Sequence, residues 1–289
     1  MSITYTQMPA ASTLTGTEIV PLVQSGANVR STLNDIKAFV SSTVAQLLSF
    51  PLNLAISIPT TGATATITAD QITLSRSLGG ASLSLGSFSQ VINLGITGAG
   101  GMDTGTATSP GFVAVYAIYN PTTLATSTLA TLATAAAAPE IYGGANMPSG
   151  YVYSRLLTVW PIGTTGNFAV GYQQDRTIYI AEIAVTTGLA VIAYTSVSLA
   201  TQVPKNAKTF SGRLFIGYGG GAPQPIYKLS PQGTTTGNQQ FTSYIGNAIV
   251  SQTGALVTNM PIVTPQVTFY SITGQAFTSA NLYITSYTI

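Results

Sequence analysis

From residue 53 onward the sequence is a succession of short β-branched and aromatic runs cut by Gly, Asn and Pro, and the one helical pattern lies ahead of them. Thr64–Leu74 (TATITADQITL) partly alternates, while Gly111–Asn120 (GFVAVYAIYN) reads as a buried strand closing on an Asn-Pro turn. Leu156–Trp160, Phe168–Tyr172 and Thr177–Val185 continue the pattern, as do Arg213–Tyr218, Phe241–Val250, Gln266–Ile272 and Asn281–Ile289. Strands at this spacing with little helix predict a mainly β fold of antiparallel sandwiches or barrels. The texture changes near Ala193–Pro204, which places a boundary between a central β domain, 51–192, and a C-terminal β-sandwich, 193–289. No fixed-period repeat is visible, which argues against a β-helix or propeller.

The first 50 residues differ. Pro9, Gly16, Pro21 and Gly26 interrupt short apolar pieces and predict an irregular arm. A helix is expected over Ser31–Leu48, with Thr32 as N-cap and Asp35 three residues on, where a capping box more often has Glu or Gln. Leu33, Ile36, Val40, Thr43 and Leu47 are spaced 3, 4, 3 and 4, an a/d seam with Thr43 its weak member. So short a seam is not stable alone. It implies a helix bundled at an axis or one laid on a sheet of its own domain.

Composition then narrows the function. The chain is 45% hydrophobic but only 6% charged, against roughly 25% charged in an ordinary domain. With no Cys and no His, disulfides, thiolate nucleophiles, imidazole metal ligands and a Ser-His-Asp triad are excluded; no cofactor or metal is expected. Nine Lys and Arg, scattered from Arg30 to Lys228, make a poor phosphate-neutralising surface, so nucleic acid is not an expected partner. The long charge-free run Thr104–Pro139 is broken by Pro110, Gly111, Asn120 and Pro121, and offers no continuous apolar span for a membrane. The start MSITYTQMPA does not read as a secretory signal. Ser, Thr, Asn and Gln are left to solvate the surface, with much apolar area expected to be hidden between subunits.

Neither glycine cluster, Gly95–Gly101 nor Gly217–Gly221, ends in Lys-Ser/Thr or leads into a helix, so both read as turns rather than phosphate loops. The seven carboxylates are Glu18, Asp35, Asp70, Asp103, Glu140, Asp175 and Glu182. A glycosidase needs two of them roughly 5 to 9.5 Å apart; Asp175 with Glu182, or Asp103 with Glu140, are the candidate pairs. Asp175 beside Arg176 reads more simply as half of a structural ion pair.

Three segments carry a family resemblance. Leu14–Val40 resembles the N-terminal module of tailed-bacteriophage tail fibre and tailspike proteins, through Gly16, Thr17, Glu18, Val20, Pro21, Gly26, Arg30 and Thr32. The middle, ITGAGGMDTGT followed by FVAVYAIYNPTT, YGGANMPSGY, VWPIG and GYQQDR, is similar to a segment of phage tail and receptor-binding proteins, with Asp103, Asn120, Pro121, Met147, Pro148, Trp160 and Arg176 at its distinctive positions. The end, from VPKNAKTFSGRLFIG to LYITSYTI, resembles the β-sandwich tips of such fibres.

The resemblance implies a non-enzymatic virion protein: a homotrimeric short tail fibre or tail-tip component, assembled in the host cytoplasm. Its N-terminus would dock to tail or baseplate proteins through Glu18, Val20, Pro21 and Arg30, with a short strand such as Glu18–Val23 added to a partner's sheet. Leu33, Ile36, Val40 and Leu47 would form the trimer seam. Host contact, with a cell-surface glycan or protein, is expected in the C-terminal domain, at Tyr218, Gln224 and Tyr227 of the loop Gly217–Tyr227. The alternatives are a glycan-degrading tailspike and a virion decoration protein.

Overall fold

The computed structural model describes residues 17, 19–24, 27–36, 51–218, 224–242 and 251–289. The arm contains a two-stranded antiparallel ribbon, β1 (Ile19–Gln24) and β2 (Ala27–Thr32), in which Pro21 lies opposite Arg30. The arm is therefore not irregular throughout, and the strand expected at Glu18–Val23 is β1, already paired on one side within its own chain. A helical turn follows at residues 33–36. The Thr32 N–H donates to Asp35 Oδ2 at 2.9 Å, and the Asp35 N–H donates to Thr32 Oγ1 at 3.1 Å. This is the reciprocal capping pair, made with Asp in place of Glu. Helical residues thus begin at 33 rather than 31; residues 37–48 of the expected helix lie outside the described residues.

The body is mainly β. Its first strands are β3 (Ala55–Ile58), β4 (Thr64–Ser75), β5 (Ser82–Asn93), β6 (Gly101–Met102), β7 (Gly111–Asn120), β8 (Ala125–Leu132) and β9 (Tyr153–Ile162). There follow β10 (Gly171–Gln174), β11 (Thr177–Val185), β12 (Ile192–Ser198), β13 (Thr209–Tyr218), β14 (Ile226–Ser230), β15 (Gln239–Thr242), β16 (Ser251–Pro261), β17 (Val267–Thr273) and β18 (Ser279–Thr288). Twelve of them form one sheet in the order β16-β13-β18-β11-β10-β3-β4-β9-β7-β8-β6, with β5 on the other flank of β4; β12-β17-β14-β15 form a second sheet. All strand pairs are antiparallel except the short β6–β8 pair.

The large sheet folds over itself at β4. That strand meets β9 only through Ser75 and Ser154, so β9, β7 and β8 turn back across the strands that precede them in the order. Bonds between strands that are not ladder neighbours mark the two layers. Gln173 on β10 donates to the Leu157 carbonyl at 3.0 Å, and the Tyr287 hydroxyl on β18 donates to the Val159 carbonyl at 2.7 Å. On the far side Gln90 donates to Thr126 Oγ1, and Thr128 Oγ1 to the Val91 carbonyl, so side chains join β5 to β8. Strands β7 and β9 are buried on nearly every residue, because residues 133–152 cover the face turned away from the second layer. The Tyr116 hydroxyl donates to the Pro139 carbonyl there, and the Tyr142 N–H to Ser154 Oγ. Full burial on both faces is why these two strands read as continuous apolar runs.

The boundary expected between residues 192 and 193 falls inside β12. Ladder bonds cross it, since β18 pairs with β11 along Thr177–Val185, and one core cluster runs from Leu54 to Ile289. The physical reason is the return of the last strand between β11 and β13, a pairing that local sequence texture does not encode.

Candidate functional site

The carboxylates separate into structural roles. Glu182 pairs with Arg213. Asp175 occupies the two-residue turn between β10 and β11 at a φ of 52°, and its Oδ1 accepts from the Leu54 N–H at 3.2 Å. Arg176 reaches the other way, donating to Glu140 Oε1 at 2.9 Å, while the buried Arg155 lies 3.6 Å from Oε2. Burial lowers the Arg155 guanidinium pKa below its ordinary value and Glu140 works against that shift. Asp103 and Glu140, the other candidate pair, do come to the same neighbourhood, around Tyr116 and Tyr142. There Asp103 Oδ2 accepts the Tyr142 hydroxyl at 2.8 Å. One carboxylate is thus held by two arginines and the other by a phenol. These contacts tie the segment 133–152 to β9 through Arg155, to the β10–β11 turn through Arg176 and to the end of β6 through Asp103.

These tyrosines give the fold an alkaline limit. Burial first, and the bond to Asp103 second, push the Tyr142 hydroxyl up to about 12. Burial also raises Tyr116, Tyr227 and Tyr287. The folded chain holds these protons more tightly than the unfolded chain, whose tyrosines titrate near 10. The associated stability is complete below about pH 10 and is lost as the pH climbs toward and beyond 12. Thermal melts should be flat up to about pH 9 and fall steeply above about pH 10, with tyrosinate absorbance rising together with unfolding. Free ionisation of all the tyrosines near pH 10 in a folded chain would contradict these positions.

Two of the three residues expected to touch a receptor are buried. Tyr218 is 2% exposed and Tyr227 fully buried, and residues 219–223 of the loop lie outside the described residues. Tyr227 is on β14, an interior strand between β15 and β17. Its ring stacks on Tyr270 at 5.7 Å, with Phe277 against it. Gln224 is half-buried. Of the attachment residues, Val20 is half-buried and Arg30 exposed, Pro21 lies in β1, and Glu18 is outside the described residues. Leu33 and Ile36 of the seam are half-buried; Val40 and Leu47 are outside the described residues. In the first cluster Gly95, Gly98 and Gly100 lie in turns, Gly98 and Gly100 at positive φ, whereas Gly101 opens β6.

An accessible constellation lies instead on the outer face of the large sheet. The turn at Asp175-Arg176 sets Gln174 opposite Thr177 and hence Tyr172 opposite Tyr179. The same register continues on both sides, with Ser57 beside Tyr172 and Ser286 beside Tyr179. One step along, Thr288, Thr177, Gln174, Ala55 and Thr68 form a parallel row. Neither row contains a charged side chain. The Tyr172 and Tyr179 rings are stacked, with centroids 4.4 Å apart and planes 12° apart. Beside Tyr172 the short side chains of β3 and β4 leave a groove of about 750 Å³. The GYQQDR motif does not by itself reveal this site. The signal was present, since a two-residue turn at Asp175-Arg176 fixes the Tyr172–Tyr179 pairing by counting outward.

Comparison with known proteins adds no lead at this point: no protein-family model matches the sequence, and no curated protein is significantly similar to it.

Proposed function

We propose that this chain is a non-enzymatic structural and receptor-binding protein of a tailed-bacteriophage virion, a short tail fibre or tail-tip component that works as a homotrimer. The observation that carries the reading is the surface of the single protomer. Leu78, Leu124 and Leu256 are each at least 70% exposed, on a chain with only nine basic and seven acidic residues to solvate it. A protomer with so much exposed apolar area and so little charge is suited to an assembly that covers part of it. The threefold count and the virion come from the resemblance of residues 14–40, with its Gly-Thr-Glu step, Pro21 strand and Arg30-Ser31-Thr32 entry to a helix. Residues 1–50 dock to tail or baseplate proteins, the seam at Leu33, Ile36, Val40 and Leu47 lies on the threefold axis, and the β body faces the host.

Native mass spectrometry of the full chain at micromolar concentration tests the assembly. A trimer is expected, and Leu33→Asp or Val40→Asp should shift it toward monomer by placing an unpaired charge in the seam. A stable wild-type monomer would contradict the reading.

A further inference from the structure

The groove beside Tyr172 has a chemistry that narrows its ligand. Its wall is a tyrosine that is 52% exposed and held upright by the Tyr179 ring stacked behind it. Its floor is Ala55, Ser57, Thr66 and Thr68, and Gln174 closes one end. No lining residue carries a charge, so an anionic polymer or an acidic peptide finds no cation here. Strands β3, β4 and β10 each have ladder partners on both sides, so an extended peptide finds no open backbone edge. An apolar protein surface would meet a floor of hydroxyl groups left without water.

A neutral pyranose meets none of these objections. Its C–H face can lie on an aromatic ring, and its hydroxyl groups can both donate to and accept from Ser and Thr hydroxyls and a Gln amide. The uncharged rows extend from β18 to β5, which at about 4.8 Å per strand gives roughly 24 Å between the outer strands of six. That length suits a chain of several sugars rather than a monosaccharide.

We propose that this groove binds a neutral glycan, with one pyranose ring stacked on Tyr172 and its hydroxyl groups meeting Gln174, Ser57 and Thr66. The proposal deepens the receptor-binding reading and rests on it for the source of the glycan, a host surface. The chemistry of the groove is independent of it.

The test uses the full-length assembled protein and three neutral hexasaccharides, of α-1,4-glucose, β-1,4-glucose and β-1,4-mannose, with hexagalacturonate as the acidic control. Saturation-transfer NMR and calorimetric titration read binding. At least one neutral hexasaccharide should bind while hexagalacturonate does not. Tyr172→Ala should weaken binding about tenfold with melting temperature and oligomer mass unchanged, and Tyr172→Phe should retain most of it. Three results would overturn the proposal: no binding to any of the neutral sugars, binding indifferent to Tyr172→Ala, or loss of the oligomer in Thr66→Glu, which would make the face a subunit contact. The two readings fail separately. Sugar binding by a chain that virus particles do not carry removes the virion and keeps the groove, whereas a particle-borne chain that ignores neutral sugars does the reverse.

Discussion

Replacing Trp160 with alanine should lower the stability of the fold by about 4 kcal/mol, within the usual range for deleting a buried aromatic side chain. Trp160 is fully buried on β9, the strand that carries the contacts between the two layers. Its indole N–H donates to the Ala169 carbonyl at 2.9 Å, and its ring edge packs against Gly171 at the start of β10, where a Cβ would meet it at 3.1 Å. Truncation therefore opens a cavity between layers and leaves the Ala169 carbonyl without its donor. As Trp160 is the only tryptophan, chemical unfolding has to be followed by circular dichroism. A loss below about 1 kcal/mol would mean that the ring does not join the layers.

Glu140→Gln is the second substitution with a large expected effect. It leaves Arg155, 4% exposed at its side chain, and Arg176, 19% exposed, facing each other without their shared carboxylate. Removing one member of a buried ion pair costs about 3 to 5 kcal/mol. Glu140 itself is 37% exposed, so water relieves part of the strain and the low end, about 3 kcal/mol, is expected. Asp70→Asn is the control. Asp70 is an exposed residue bonded to the Asn53 amide, and its replacement should change stability by less than about 0.5 kcal/mol. Equal effects of the two substitutions would show that Glu140 does not anchor residues 133–152.

The contrast between what was legible in the sequence and what was not follows burial. Gly111–Asn120 and Thr177–Val185 match β7 and β11 residue for residue, because their apolar and β-branched runs are bounded by turn residues. The SLSLGSFSQVIN and ATSTLATL segments, β5 and β8, carry no clear strand signal. Their partners are one another's hydroxyls and amides more than a core, so Ser, Thr and Gly hide the alternation. The Gly and Pro residues before Tyr227 predict a loop there, although β14 begins at Ile226. The exchange of a supposed receptor loop for a sheet face has the same origin. Which tyrosine is exposed depends on the strands beside it, and those pairings join residues more than 100 positions apart, as between β11 and β18. Thr32 and Asp35, three residues apart, needed no such information.

The proposed role requires the chain to be part of a virion that meets the host. Immunogold electron microscopy of purified virus particles, taken from a culture that produces the chain and probed with antibodies to the whole protein, tests this directly. Gold at the distal tail, at a small fixed number of sites per particle, is the predicted result. Particles free of gold, with the chain recovered only from the soluble cell fraction, would contradict it.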